Sequence, residues 1–346
     1  MSSGLLAFSI ALGASLALTV PVREFALWVG MVDLPGPRKV HLKPMPLLGG
    51  LAMYGGFMLA VVIAMPRSAL AQSAGIFIGA TLVGFVGILD DGGLLHHQVK
   101  LFIGMPLAAL ILIASGVRTV FFETFRPGPY ATIADCALTV FWVVGITASF
   151  SIFDHMDGLC AGVAAVAAFF FAIYAYRDGQ SLVTTLAAAV MGAALGFLCW
   201  NFKPAKIFMG DGGAMMLGFL MATLAVKLRP VAMHHRTSWM VPILILAVPI
   251  FDTTLVSISR ARRGFLPFAT PGKDHTAHRL SNLGLGQRGA VLTLYAAGAL
   301  FGIVALVMGY VSVGVTYVIA GVVLLAAAVA IVALERAPFE RQQKKS

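Results

Sequence analysis

Apolar residues fall along this chain in long runs separated by short polar islands. Eleven runs can be drawn, near 4–22, 48–65, 70–89, 101–116, 133–150, 159–176, 183–200, 212–227, 239–258, 290–309 and 311–334. Each approaches the roughly 20 residues that carry a helix through a bilayer core. The pattern predicts an all-α polytopic membrane protein of about eleven transmembrane helices. It is expected to be one integral membrane domain over 1–346, closing in a short basic cytoplasmic tail at 336–346. The first run lacks a basic start and more spans follow it, so it is not expected to be a cleaved signal peptide.

The islands hold the polar chemistry. Asp33–Gly50 reads DLPGPRKVHLKPMPLLGG, whose four prolines and three glycines rule out a continuous helix. There Arg38, Lys39, His41 and Lys43 can contact phosphate or simply form a basic loop. The third run closes on GILDD, so Asp90 and Asp91 adjoin at a helix end. Like charge and the negative end of the helix dipole both disfavour ionisation there. A bound cation or a catalytic duty would account for the pair; a solvated loop pair is the alternative. After the fifth run, DHMDGL sets Asp154 and Asp157 three apart, on one face if the turn is helical.

Asn201–Phe219, NFKPAKIFMGDGGAMMLGF, joins two apolar runs through Lys203, Lys206 and a single carboxylate, Asp211, at a helix start. Asp211 is either an N-cap or a ligand for a hard cation such as Mg2+. Asp252 lies just inside the ninth run. Behind it comes the longest polar segment, roughly Ser257–Ala290, with Arg260, Arg262, Arg263, His275 and His278. Arginine suits phosphate oxygens through its fork of donors, and the two histidines can share a face.

Composition and charge narrow the picture. Hydrophobic residues make up 60%, charged ones 11%, and mean hydropathy is +0.94, which excludes an ordinary soluble domain. Assigned to alternate sides, the lysines and arginines divide 17 against 7. The richer side is expected to be cytoplasmic, with the N-terminus outside and the C-terminus inside; Lys227–Arg236 runs against the rule. Asp33, Asp90, Asp91, Asp154, Asp157, Asp211, Asp252 and Asp274 all fall to that side, leaving Glu123, Asp135 and Asp178 opposite. Acids gathered at span ends mark a site, since they are costly unless paired, hydrated or metal-bound. The net charge of +10 reflects topology and anionic lipid rather than nucleic acid. Cys136, Cys160 and Cys199 lack metal spacing and suit packing.

Together these islands resemble the polyprenyl-phosphate N-acetylhexosamine-1-phosphate transferases, glycosyltransferase family 4, from Asp33 to about Tyr295. The matching pieces are DLPGPRKVHLKPMPLLGG, GILDD, DHMDGL, NFKPAKIFMGD, PIFDT and HTAHRLSNLGLGQR. The eleventh span and the RK-x-H loop place the resemblance nearer the undecaprenyl-phosphate GlcNAc-1-phosphate transferase branch than the muramoyl-pentapeptide branch. It implies that a polyprenyl phosphate attacks the β-phosphorus of a UDP-amino sugar. UMP leaves, and a lipid-pyrophosphoryl sugar begins a cell-envelope polysaccharide. It also implies Mg2+, with Mn2+ as a substitute, an inner-membrane location and room for a homodimer. By position, Asp211, Asp90 and Ser151 would attend the metal. Asp90, Asp91, Asp154, Asp157, His275 and His278 would be catalytic. Lys39, Asn201, Arg260, Arg262 and Arg263 would bind substrate.

The sequence departs from the family's pattern at Ala148 and Ser151, where asparagines are usual, at Ala277, where a third histidine is usual, and in GDGGA. A catalytically lapsed homologue with a binding role is therefore an alternative to an active enzyme. A transporter is a more distant one, because transporters carry their acids near mid-span, often within internal repeats.

Overall fold

A computed structural model describes residues 2–35, 44–231, 233–266 and 272–339. Every predicted apolar run is helical in it. Helices α1 (Ser2–Trp28), α2 (Gly49–Ala64), α3 (Ala74–Asp91), α4 (Met105–Ala114), α5 (Pro129–Phe153), α6 (Leu159–Arg177), α7 (Ser181–Asn201) and α8 (Gly210–Lys227) come first. Then follow α9 (Met240–Ile245), α10 (Ala247–Arg262), α11 (Gly286–Met308) and α12 (Val313–Glu335). Hydrocarbon offers backbone groups no partner, so apolar spans must satisfy themselves as helices. Among the described residues seven helices are long and apolar enough to cross a membrane, or eight with one bent pair. The chain is a multi-pass membrane protein. One short antiparallel pairing, β1 (Val32–Asp33) with β2 (Met45–Pro46), brackets the proline-rich loop. Lys39, with Arg38, His41 and Lys43, lies outside the described residues.

Two compact units divide the chain, Met1–Pro230 and Val231–Ser346. In the first, α8 is the hub, with α2, α3 and α5 packed around it. From Gly210 to Val226 every residue of α8 except Asp211 is buried. Its small residues allow backbones to touch, as membrane helix interfaces require. A Cβ on Gly87 of α3 would stand 2.5 Å from the Gly212 Cα, and one on Gly213 would stand 2.8 Å from the Gly50 Cα.

In the second unit the ninth run is not one straight span. His235–Ile245 and Ala247–Arg262 meet at 76°. Pro249, in the first turn of α10, has no N–H for the carbonyl of Ile245 and its ring crowds that carbonyl, so the helix breaks there. Another local expectation also needs correction. Asp154 and Asp157 do not share a helical turn, because α5 stops at Phe153 and α6 starts at Leu159. Gly158 turns the chain between them at φ +76°, a conformation other residues rarely adopt.

Candidate active site

In the first unit the polar islands converge on the N-terminus of α8. Lys100 opens a single π-helical turn, Lys100–Gly104, ahead of α4; such turns recur at functional sites. Its ammonium pairs with Asp90 Oδ2 at 2.7 Å and with Asp211 Oδ2. From the last turn of α5, Ser151 Oγ donates to Asp211 Oδ1 at 2.6 Å. One cation and one hydroxyl thus fix the Asp211 carboxylate from both sides.

Asp211 is not the N-cap of its own helix. That duty falls to Asp91, whose Oδ1 accepts from the Asp211 N–H at 2.9 Å and whose Oδ2 accepts from the Gly212 N–H at 3.2 Å. Two of the free donors at the helix start are thereby satisfied from a neighbouring helix. Gly210 makes this approach possible, since it takes φ +70° and a Cβ there would collide with the Asp91 carboxylate. Substituting a cap by alanine costs about 1 kcal/mol, and asparagine caps nearly as well as aspartate. Asp91→Ala should therefore lower the thermal midpoint of the detergent-solubilised protein, and Asp91→Asn, which keeps one of the two accepting oxygens, should lower it less. Equal loss in both variants would show that a single accepting oxygen does not sustain the cap.

Asn201 stitches two loops together. Its Oδ1 accepts from the Gly158 N–H and its Nδ2 donates to the Ile207 carbonyl, each at 3.0 Å. Asp157 Oδ2 accepts from the Ala205 N–H at 3.1 Å. Asp154 differs, as no described residue donates to its carboxylate. Removal from water, and then the charges of Asp211, Asp91 and Asp157, push that carboxyl up to about 8. The acids of the opposite loops need no such explanation. Asp135 accepts from the Phe122 and Glu123 N–H groups, Glu123 pairs with Arg118, and Asp178 pairs with Arg177.

A second polar cluster lies within the second unit. Asp252 Oδ2 meets His275 Nδ1 at 2.8 Å, and its Oδ1 accepts from the Thr276 N–H at 2.7 Å. Arg260 Nη2 lies 3.4 Å from His275 Nε2. A guanidinium only donates, so Nε2 accepts and Nδ1 carries its hydrogen toward Asp252. The Arg260 fork is occupied by Asp274 at 2.8 and 3.1 Å, with Arg263 on the same carboxylate. Burial raises the Asp274 carboxyl, but the bonds and charge of Arg260, then Arg263, hold it below the usual range. Arg262 is the exposed member, 3.8 Å from Glu335. His278 sits half-buried in the short helix Thr276–Leu280.

The structure thus gathers Asp90, Asp91, Ser151, Asp154, Asp157, Asn201 and Asp211 in one unit. It gathers Arg260, Arg263 and His275 in the other. Sequence reasoning counted Lys100 and Arg279 only as basic residues, and placed Asp274 among the acids that mark a site without giving it a role. Lys100 stands beyond a glycine turn, in a new helical segment that starts at His97, so no helical spacing in the sequence relates it to Asp90.

Residues 73–229 match the profile of glycosyl transferase family 4, a stretch that holds every residue of the first cluster. Over 310 residues the chain is 38% identical to a Bacillus subtilis (strain 168) protein described as a probable undecaprenyl-phosphate N-acetylglucosaminyl 1-phosphate transferase, covering 87% of this chain and 84% of that one. The chain belongs to this family. It is also 32% identical to the decaprenyl-phosphate N-acetylglucosaminephosphotransferase of Mycolicibacterium smegmatis, over 83% of this chain and 80% of the relative. With the undecaprenyl-phosphate alpha-N-acetylglucosaminyl 1-phosphate transferase of Escherichia coli K12 it shares 26% over 83% and 79%. These relatives place it in the GlcNAc-1-phosphate transferase branch.

Proposed function

We propose that the chain transfers N-acetylglucosamine-1-phosphate from UDP-GlcNAc to a polyprenyl phosphate, with Mg2+, at the cytoplasmic face of the inner membrane. The N-terminus then lies outside and the C-terminus inside. Transfer of a sugar-1-phosphate to a polyprenyl phosphate begins a cell-envelope glycan. A lipid phosphate oxygen bonds to the β-phosphorus, the bridge to UMP breaks, and UMP carries away its electron pair. The observation that carries the reading is the Asp211 carboxylate, held by Lys100 and Ser151 among Asp90, Asp91, Asp154 and Asp157.

The donors fit Mg2+, which takes hard oxygen ligands. They are carboxylates and a hydroxyl, and Asp154 has no donor among the described residues. Asp211, Asp90 and Ser151 would hold the ion. Bound there, it would neutralise pyrophosphate charge and orient the phosphoryl oxygens.

The rest is the chain's own work. Phosphoryl transfer asks mainly for positioning and charge compensation. A phosphate monoester has its second pKa at about 6 and is mostly dianionic at neutral pH, so the attacking oxygen needs little help from a base. Lys100 supplies the fixed cation beside the reacting charges. Asp91 sets the start of α8 and hence Asp211, and Asn201 and Asp157 hold the loop that carries Asp154. His275, oriented by Asp252 and meeting Arg260 at Nε2, remains a proposed catalytic residue. Lys39, Arg262 and His278 remain proposed substrate contacts, and a homodimer and Mn2+ substitution remain proposed too.

Inside-out and right-side-out membrane vesicles containing the protein, given undecaprenyl phosphate and a panel of labelled UDP-sugars, test the reading. Labelled lipid-pyrophosphoryl GlcNAc should form in the inside-out vesicles alone. Product in right-side-out vesicles would reverse the topology, and none in either would favour the lapsed homologue.

Ser151 bears on the metal. Its short hydroxyl already gives a hydrogen to Asp211, whereas an amide carbonyl is a stronger and longer-reaching ligand. Ser151→Asn should lower the Mg2+ concentration for half-maximal rate without changing the preferred sugar. A Mg2+ titration across several UDP-sugars decides it, because an unchanged midpoint with a switched sugar would assign Ser151 to the sugar pocket.

A further inference from the structure

We propose that the segment from Glu335 to Phe339, at the end of α12, is a latch that positions His275 through Arg279 and Asp274. Arg279 is fully buried, 0% exposed, and each of its three guanidinium nitrogens donates a hydrogen bond. Nε donates to the Asp274 carbonyl at 2.8 Å, Nη2 to Ser259 Oγ at 2.8 Å, and Nη1 to the Leu334 carbonyl at 2.7 Å. Glu335 Oε1 forms an ion pair with Nη2 at 2.9 Å. The Phe339 ring then closes over two guanidinium groups, Arg279 at 4.3 Å and Arg263 at 5.1 Å. Asn282 Nδ2 pins the same stretch by donating to the Pro338 carbonyl at 3.0 Å.

From this anchor the contacts run inward without a gap. Arg279 and Arg263 hold Asp274, Asp274 holds the Arg260 fork, Arg260 meets His275, and His275 meets Asp252. A guanidinium buried this deeply is expensive unless each donor is met. Of these partners α12 supplies the Leu334 carbonyl and the Glu335 charge, which tie it to the short helix Thr276–Leu280 and the histidine that precedes it. Arg279, Glu335 and Phe339 are positioning residues, since none of them is placed at the reacting atoms. Stacking of arginine on an aromatic face is worth most where water is excluded, which suits Phe339 for the closing contact.

The inference deepens the proposed transferase reading, and its test separates the two. Full-length wild type, Phe339→Ala, Phe339→Tyr and Glu335→Gln are purified in detergent. Each is assayed for kcat and KM with UDP-GlcNAc and undecaprenyl phosphate, for thermal midpoint, and for the rate of tryptic cutting after Arg262, Arg263 or Lys273. For Phe339→Ala, kcat should fall about tenfold, inside the roughly hundredfold that small misplacements cost. KM and the thermal midpoint should barely move, cutting should quicken, and Phe339→Tyr should restore both kinetics and resistance. Glu335→Gln, which keeps the shape of the side chain, should follow Phe339→Ala in direction. Wild-type kcat and wild-type cutting in both Phe339→Ala and Glu335→Gln would overturn the latch. So would a loss of kcat matched by a fall in thermal midpoint and not rescued by tyrosine. If even the wild type transfers no sugar, the transferase reading fails by itself and the cutting rates still decide the latch.

Discussion

Asp211→Asn is expected to lower turnover by at least about a thousandfold while the protein still inserts and folds. Charge stabilisation through a bound metal is worth several kcal/mol, and each 1.36 kcal/mol is a factor of ten in rate. Folding should survive because the helix start is capped by Asp91, not by Asp211. An asparagine at 211 retains an oxygen that can accept from Ser151 and loses the charge and the oxygen that meets Lys100. The comparison is initial rate at saturating Mg2+ against elution profile and thermal midpoint. A variant within tenfold of the wild-type rate would remove Asp211 from the metal role; a variant that aggregates would make it a folding residue.

Gly87→Leu should yield no monodisperse protein at all. A Cβ at that position meets backbone atoms of Asp211 and Gly212, which no rotamer change can move aside. Overpacking usually costs about 1–3 kcal/mol where side chains can yield, and more where they cannot. Gly145→Leu is the control, because nothing lies within 4 Å of a Cβ on that glycine of α5. Fluorescence-detected size exclusion in mild detergent reads both. A sharp peak for Gly87→Leu would mean that α3 and α8 pack less closely than described.

Much of this architecture could be read from the chain because hydrocarbon imposes a plain rule. Apolar runs of sufficient length become helices, and all eleven did so. The acids of the first cluster were legible for a related reason, since carboxylates at span ends stand out against an apolar background. What stayed hidden depended on direction, not composition. Lys100 looked like one more basic residue of an inside loop until the π-helical turn aimed it at Asp90 and Asp211. Asp91 looked equivalent to its neighbour, yet one bridges to a lysine and the other caps a helix from a distant segment. The arginines after Asp252 suggested phosphate grips, but Arg260 has its fork filled by Asp274, eleven residues beyond the last of the three arginines in RARR. The bend in the ninth run was signalled by Pro249, whose effect a hydropathy average cannot register.

The enclosure of α8 has a kinetic meaning as well. Backbone amides exchange with deuterium only when their helix opens, and those of enclosed elements wait for the largest openings. The amides from Met215 to Val226 should therefore be among the slowest in the protein to exchange. Asp211 rides on that slow element, while Asp154 rides on a five-residue link between two helices. In the proposed transferase, accommodation of a bulky lipid and a nucleotide sugar then falls to the link, with Asp211 as the fixed point of the first cluster.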